Sequence, residues 1–310
     1  MNNFEHQSVL LQQSVEALIT DKDGFYIDGT FGRGGHSRVI LEQLSSQGKL
    51  LVIDKDPDAI KEALLLQQQD ERVIVAHSSF AELEQLAGIH AVMGKVTGVL
   101  LDLGVSSPQL DDAARGFSFS KEGPLDMRMD TQAGVTAAQW VAEAKEEELI
   151  RVFFEYGEEK FSRRIARAIV RERELTPITT TTQLAEIVKQ AHPAWEKHKH
   201  PATRVFQAIR IAINRELLDL EKALSEILEL LCVGGRMVVI SFHSLEDRLV
   251  KQFISKQERG DDYPSDMAVT QAQLNPRLKK IGKQVRASAE EVALNVRSRS
   301  AVLRVAEKIA

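Results

Sequence analysis

Through the first hundred positions, short apolar runs alternate with amphipathic stretches. Runs at 24–28, 50–54, 72–77 and 97–103 are rich in Val, Ile and Leu and are bounded by Gly, Asp and Ser, the composition and length of strands. The segments between them place apolar residues three and four apart, as helices do. This βαβ alternation predicts a parallel sheet covered by helices. The pattern then changes: residues 109–202 are helical, charged and rich in turn signals, with no strong strand. A long helical stretch at about 203–231 leads through Gly234-Gly235 into RMVVISF, and the tail supplies two more strand candidates, 277–282 and 300–307, the second alternating with period two. The prediction is therefore an α/β fold with a Rossmann-like sheet of seven strands. Its discontinuous main domain is formed by 1–108 and 203–310, and a helical domain, 109–202, is inserted between the two parts.

Composition narrows the class. The chain has 310 residues, 43% hydrophobic and 27% charged, room for one large domain carrying an insertion. No apolar run approaches the roughly 20 residues of a membrane span, and the first 30 residues lack a signal-peptide pattern. A cytoplasmic protein without membrane contact is expected. Cys232 is the only cysteine, which rules out an internal disulfide and multi-cysteine metal sites. Its setting, LELLCVGG, suggests a buried core thiol and argues against methylation of pyrimidine C5 through a cysteine adduct.

The segment GFYIDGTFGRGGH, 24–36, carries the strongest chemical signal. A strand ends in Asp28 and enters a bend containing Gly29, Gly32, Gly34 and Gly35; a second strand then ends in Asp54, nineteen residues after Gly35. Glycines beyond strand ends let a cofactor approach the backbone, and an acid at the tip of the second strand can accept hydrogen bonds from ribose hydroxyls. The glycine spacing is not the G-x-G-x-x-G that seats a pyrophosphate. Asp28 would repel a pyrophosphate but favours the ammonium and sulfonium of S-adenosylmethionine.

Two further strand ends carry polar groups. In LLDLGVSSPQLD, Asp102 projects over the crevice, where it could accept a hydrogen bond from an amine; the alternative is a turn cap. In SFHSLEDR, His243 is a candidate for substrate contact or proton acceptance, while Glu246 and Asp247 can simply form the acidic first turn of a helix. No metal-ligand spacing stands out among the eight histidines, and HPAWEKHKHP at 192–201 reads as a Pro-bracketed turn; no metal is expected.

The net charge of −5 does not announce a nucleic-acid binder, but the distribution of charge does. At about 100° per residue, Lys160, Arg163, Arg164, Arg167 and Arg171 fall on one helical stripe, with Phe161, Ile165 and Ile169 facing away. Arg204, Gln207, Arg210 and Asn214 share one broad face, and Phe206, Ile209 and Ile213 form another. The tail adds Arg277, Lys279, Lys280, Lys283 and Arg286 with no acid among them. Three basic surfaces favour phosphate contact.

Taken together, HQSVLL, DGTFGRGGH, DKDP, LLDLGVSSPQLD, RGFSF with GPLDMRMD, RVFQAIRIAINREL, ISFHSLEDR and RSRSAVLRV resemble, over nearly the whole chain, the bacterial small-subunit (16S) ribosomal RNA cytosine-N4 methyltransferases, the RsmH or MraW family. The resemblance implies a class I S-adenosylmethionine-dependent methyltransferase fold. It also implies methyl transfer to the exocyclic N4 amine of a cytidine in the decoding centre. Carried over by motif, the cofactor contacts are Gly34, Gly35, His36, Asp54, Phe80, Asp102 and Gln109; the catalytic expectation comes from the residues themselves, with Asp102 orienting the amine and His243 assisting nearby. The implied partner is small-subunit ribosomal RNA, as an assembled or late-assembly particle, with a homodimer as a further expectation. Two departures are visible: NVRSRS at 295–300 stands for NPRSRS, and DLGVSSP differs from the N-P-P-Y or D-P-P-Y of many amino-methyltransferases. A ribose 2′-O-methyltransferase, a dinucleotide oxidoreductase and a non-catalytic RNA-binding module are the alternatives.

Overall fold

A computed structural model describes residues 8–193, 200–261 and 270–310. The chain divides into two compact units, Met1–Gly104 with Leu217–Ala310, and Val105–Glu216.

The first unit begins with α1 (Leu11–Leu18), β1 (Phe25–Asp28), α2 (Gly35–Gln43), β2 (Lys49–Asp54), α3 (Pro57–Gln69), β3 (Val73–His77), α4 (Leu83–Ile89) and β4 (Val96–Asp102). The second contains α5 (Ser107–Asp111), α6 (Ala137–Glu143), α7 (Glu146–Glu155), α8 (Ser162–Leu175), α9 (Thr181–Ala191) and α10 (Ala202–Asn214). The chain continues with α11 (Glu216–Leu230), β5 (Leu231–Ser241), α12 (Ser244–Arg259), β6 (Leu278–Lys280), β7 (Val285–Arg286), α13 (Ala289–Leu294) and β8 (Val302–Lys308).

The strands form one sheet in the order β3-β2-β1-β4-β5-β8-β6. The first five are parallel to their neighbours, whereas β8 runs antiparallel to both β5 and β6. Chain order reverses between β1 and β4, and a ligand crevice opens beyond the strand ends at such a switch point. This is the class I methyltransferase fold expected from the sequence. The sheet has eight strands rather than seven: β7, two residues long, pairs with β8 and is too short to leave a periodic signal.

Leu50, Leu51, Val52 and Ile53 are all fully buried, because helices cover both faces of the parallel sheet; that is why β2 reads as an unbroken apolar run. The pleat divides neighbours between two cores. Ile27, Leu51, Val99 and Val239 join one cluster, while Tyr26, Leu50, Leu100 and Val238 join the other. Asp56 starts α3, its side chain accepting from the Asp58 amide at 3.0 Å with Pro57 in the first helical position, so DKDP is a helix start as well as a strand end.

The second unit is helical around its own core, which includes Phe153, Ile165, Ile169, Leu184, Phe206 and Ile209. Its limits are wider than 109–202, because the apolar face of α10 packs in this core. The expected single helix over 203–231 is two, α10 and α11. Arg215 between them adopts the left-handed region at φ 56°, and the Asn214 side chain is tied to the backbone of Met127 and Met129 at 2.8 and 2.7 Å. No Gly or Pro announces this break. No helix among the described residues is long and apolar enough to cross a membrane.

Candidate functional site

Asp28, Asp54 and Asp102 end β1, β2 and β4 on the same edge of the sheet. The bend after β1 is held from below: Phe31 N donates to Ile53 O at 3.0 Å, and Gly32 N donates to Asp54 Oδ2 at 2.7 Å. Asp54 Oδ1 accepts from the Asp56 amide at 2.8 Å. Gly34 turns at φ 74°, where a Cβ would lie 2.6 Å from the Phe31 ring, and a Cβ on Gly35 would meet Ser8 Oγ at 2.0 Å. Both positions need the bare backbone that the sequence supplies.

Asp28 is 1% exposed. It accepts from Ser37 Oγ at 2.6 Å and from Thr30 N at 3.1 Å, and burial nevertheless lifts its pKa from 3.8 to about 6. Burial also raises Asp54, against the amides it accepts from. Asp102 is raised well above the ordinary value, first by burial and then by the charges of Asp28 and Glu246. Its Oδ1 is enclosed with no hydrogen-bond partner, although 23% of the side chain remains open. Among the described residues no lysine or arginine forms an ion pair with Asp28, Asp54 or Asp102.

His36 lies in the first turn of α2 and is 5% exposed. Its Nε2 is 3.2 Å from the Val9 carbonyl; a carbonyl only accepts, so Nε2 carries the proton. Burial lowers the imidazole pKa to about 4. The neutral ring therefore presents a bare Nδ1, 3.7 Å from Asp102 Oδ2. Phe80 follows β3 and opens a 3₁₀ turn capped by Ser79. Lys55 Nζ sits 5.8 Å from the Phe80 ring centroid and pairs with Asp219, which also accepts from Ser79 Oγ at 3.0 Å.

His243 caps α12, and both ring nitrogens turn toward Glu246 rather than outward. Glu246 N approaches Nδ1 at 3.5 Å, and Nε2 is 3.0 Å from Glu246 Oε1, though misaligned for a hydrogen bond. Glu246 is 2% exposed, with Oε2 accepting from the amides of Phe242 and His243 at 2.8 and 3.3 Å. Asp247 forks to Arg304 at 2.7 and 3.0 Å. In the second unit, Gln109 is buried and accepts from Ser106 N at 2.9 Å, closing a capping box on α5.

The sequence did not single out Thr30, Ser37 or the Val9 carbonyl. Thr30 Oγ1 accepts from the Asp102 amide at 2.6 Å and thereby ties β1 to β4. This bond joins residues 72 positions apart, and nothing local marks it. Cys232 is partly exposed at the first turn into β5, not in the core as expected. It stands at the opposite strand end from the crevice.

The three basic surfaces differ. Arg163, Arg164, Arg167 and Arg171 are exposed on α8 while Ile165 and Ile169 are buried. Arg167 contacts Glu146 at 3.2 Å and Arg171 contacts Glu172 at 2.8 Å. The α10 face is instead engaged internally: Arg210 forks onto Glu216 at 2.8 Å through both nitrogens, and Gln207 donates to Tyr156 O at 3.2 Å. Lys279, Lys280, Lys283 and Arg286 are exposed on and beside β6 and β7. Of the histidine-rich stretch, 194–199 lies outside the described residues, as does the start of HQSVLL.

The model of the MraW methylase family matches residues 3–309. The Ribosomal RNA small subunit methyltransferase H of Chromohalobacter salexigens is 59% identical over 308 residues, covering 99% of this chain and 92% of that protein. The protein of the same name from Legionella pneumophila strain Paris is 56% identical over 306 residues, covering 99% of each. Among solved structures, an rRNA methylase from Streptococcus thermophilus aligns with a TM-score of 0.43 at 11% identity, covering 96% of this chain and 93% of that one. Matched from end to end by the family model and by relatives more than half identical, the chain belongs to the MraW methylase family.

Proposed function

We propose that the protein transfers a methyl group from S-adenosylmethionine to the exocyclic N4 amine of a cytidine in the decoding centre of 16S ribosomal RNA, acting in the cytoplasm on an assembled or late-assembly small subunit. The observation that carries the reading is the set of strand-end carboxylates, the buried Asp28 and the half-buried Asp54 and Asp102, around a bare-backbone bend, with no ion pair to a lysine or arginine among the described residues. Acids withdrawn from water without cations call for a cationic ligand, and the orphaned Asp102 oxygen fits that demand. A pyrophosphate would be repelled. The names of the relatives supply the RNA class.

When bound, S-adenosylmethionine supplies an electrophilic methyl on a positively charged sulfur. Asp54 offers its remaining lone pairs to the ribose, Phe80 an apolar wall for adenine, and Gly34, Gly35 and His36 the backbone against which the donor lies. Asp102 holds one N–H of the target amine. That amine is a poor nucleophile, its lone pair being delocalised into the ring, so orientation is the main requirement, and positioning alone supplies about 7–11 kcal/mol. His243, folded onto Glu246, shapes the strand end beside Asp102. The site lacks a cysteine nucleophile, because Cys232 is at the far end of β5; this favours attack by an exocyclic amine over methylation at C5. The target base must leave its stack at a cost of a few kcal/mol, which the exposed α8 stripe offsets by holding RNA phosphates.

The test supplies labelled donor with free 16S RNA or with assembled small subunits. Donor binding with turnover on RNA supports the reading; absence of donor binding, or NADH binding in its place, overturns it.

A further inference from the structure

The methyl transfer leaves one question open in chemical terms: the amine must shed a proton, and the group that takes it is not given by the family match. The groups facing Asp102 come from three elements: Asp28 stands at the end of the adjacent β1, His36 in the first turn of α2 and Glu246 in the first turn of α12, while Asp54, at the end of β2, acts in turn on Asp28. None of them brings a positive charge, since His36 is fixed as the neutral Nε2–H tautomer by Val9. Its bare Nδ1 lies 3.7 Å from Asp102 Oδ2, too far for a hydrogen bond, and has no proton to offer that oxygen. Asp102 Oδ1 is enclosed and unpartnered, and an anionic oxygen without donors, facing two other acids, is costly.

We propose that Asp102 is the proton acceptor of the transfer, and that its protonation follows the charge on the cofactor's sulfur: a carboxylate opposite the sulfonium, a carboxylic acid when the site is empty or holds the neutral thioether. The inference rests on the proposed function. Donor binding expels the Asp102 proton to solvent. As the N–C bond forms and the S–C bond breaks, positive charge passes from sulfur to nitrogen, and Asp102 loses the cation that kept it ionised. It then takes the N–H proton, leaving a neutral methylated amine, a neutral thioether and a protonated Asp102. The site thus makes its base strong only after the methyl has moved, and the burial that raises Asp102 supplies the driving force.

Calorimetric titration in buffers of different ionisation enthalpy tests this through binding alone. S-adenosylmethionine is expected to release more protons per site than S-adenosylhomocysteine, approaching one at a pH where free Asp102 is protonated, and its affinity relative to the homocysteine to rise with pH across that range. Asp28, with a pKa of about 6, is largely ionised from pH 7 upward with either ligand, so the difference between them there belongs to Asp102. An Asp102→Asn chain that still binds the donor should lose the extra proton; should that variant fail to fold, the comparison of the two ligands on the natural chain decides alone. Equal proton counts for the two ligands, or an extra proton retained in Asp102→Asn, would overturn the inference while leaving methyl transfer intact. Binding of neither ligand would remove the proposed function as well.

Discussion

The amide of Gly32 donates to Oδ2 of Asp54 across 2.7 Å, so the carboxylate at the tip of β2 fastens the bend after β1. If Asp54 also holds the ribose as proposed, Asp54→Ala should cost more than that one contact. Each hydrogen bond to a charged group contributes about 1.5–3 kcal/mol, and donor affinity is expected to fall by roughly 100-fold. Asp54→Asn retains only one oxygen for the amides of Gly32 and Asp56, and its affinity should lie between those of the natural chain and Asp54→Ala in a calorimetric titration. A loss in Asp54→Ala no larger than a single hydrogen bond contributes would show that the bend does not depend on this carboxylate.

Gly34→Ala places a Cβ 2.6 Å from the Phe31 ring at a positive φ, where strain costs about 1–3 kcal/mol. Donor affinity and melting temperature should both fall. Gly88→Ala, with nothing within 4 Å of the added carbon, serves as the control and should leave donor affinity unchanged without lowering the melting temperature.

Much of this site was legible in the sequence, and the reasons are physical. A parallel strand buried on both faces is a continuous apolar run, so β1, β2 and β4 and the acids that end them stand out. The glycines mark the bend directly. Pairings made by the fold were not legible. Asn214 and Arg210 look like an RNA-facing surface on a helical wheel, yet one closes off the Met127 and Met129 backbone and the other forks onto Glu216. His243 sits at a strand tip as expected, but its imidazole turns back to Glu246, which no spacing rule indicates. The seven-strand count missed β7 because two residues carry no period.

Asp28 supplies a pH test of stability. Its pKa is about 6 when folded against 3.8 ordinarily. The folded chain therefore holds this proton more tightly than the unfolded one, and the stability this gives is fully present below the unfolded value and lost as pH rises through the folded one. Asp28→Asn should therefore stabilise the unliganded chain by an amount that grows between pH 4 and pH 6 and then levels at up to about 3 kcal/mol. His36, held neutral with a pKa of about 4, loses stability as pH falls from 6.5 toward 4, but equally in both chains. Chemical denaturation across this range reads the difference; a gain independent of pH would contradict the assignment. Donor affinity should weaken in the same variant.

On α8, Arg163, Arg164 and Arg167 are exposed. Changing all three to Glu should weaken RNA binding and lower the salt slope by about 0.7–0.9 for each phosphate that is no longer neutralised, with donor binding unaffected. An unchanged affinity across a salt titration would remove this face from the RNA interface.

The position of the transferred methyl group distinguishes the candidate reactions. Small subunits lacking the modification, incubated with the protein and labelled S-adenosylmethionine and then digested to nucleosides, should yield a single labelled species whose mass spectrum places the extra methyl on the base of cytidine and whose retention matches N4-methylcytidine. A methyl on the ribose fragment, or on C5 of the pyrimidine, would contradict transfer to N4.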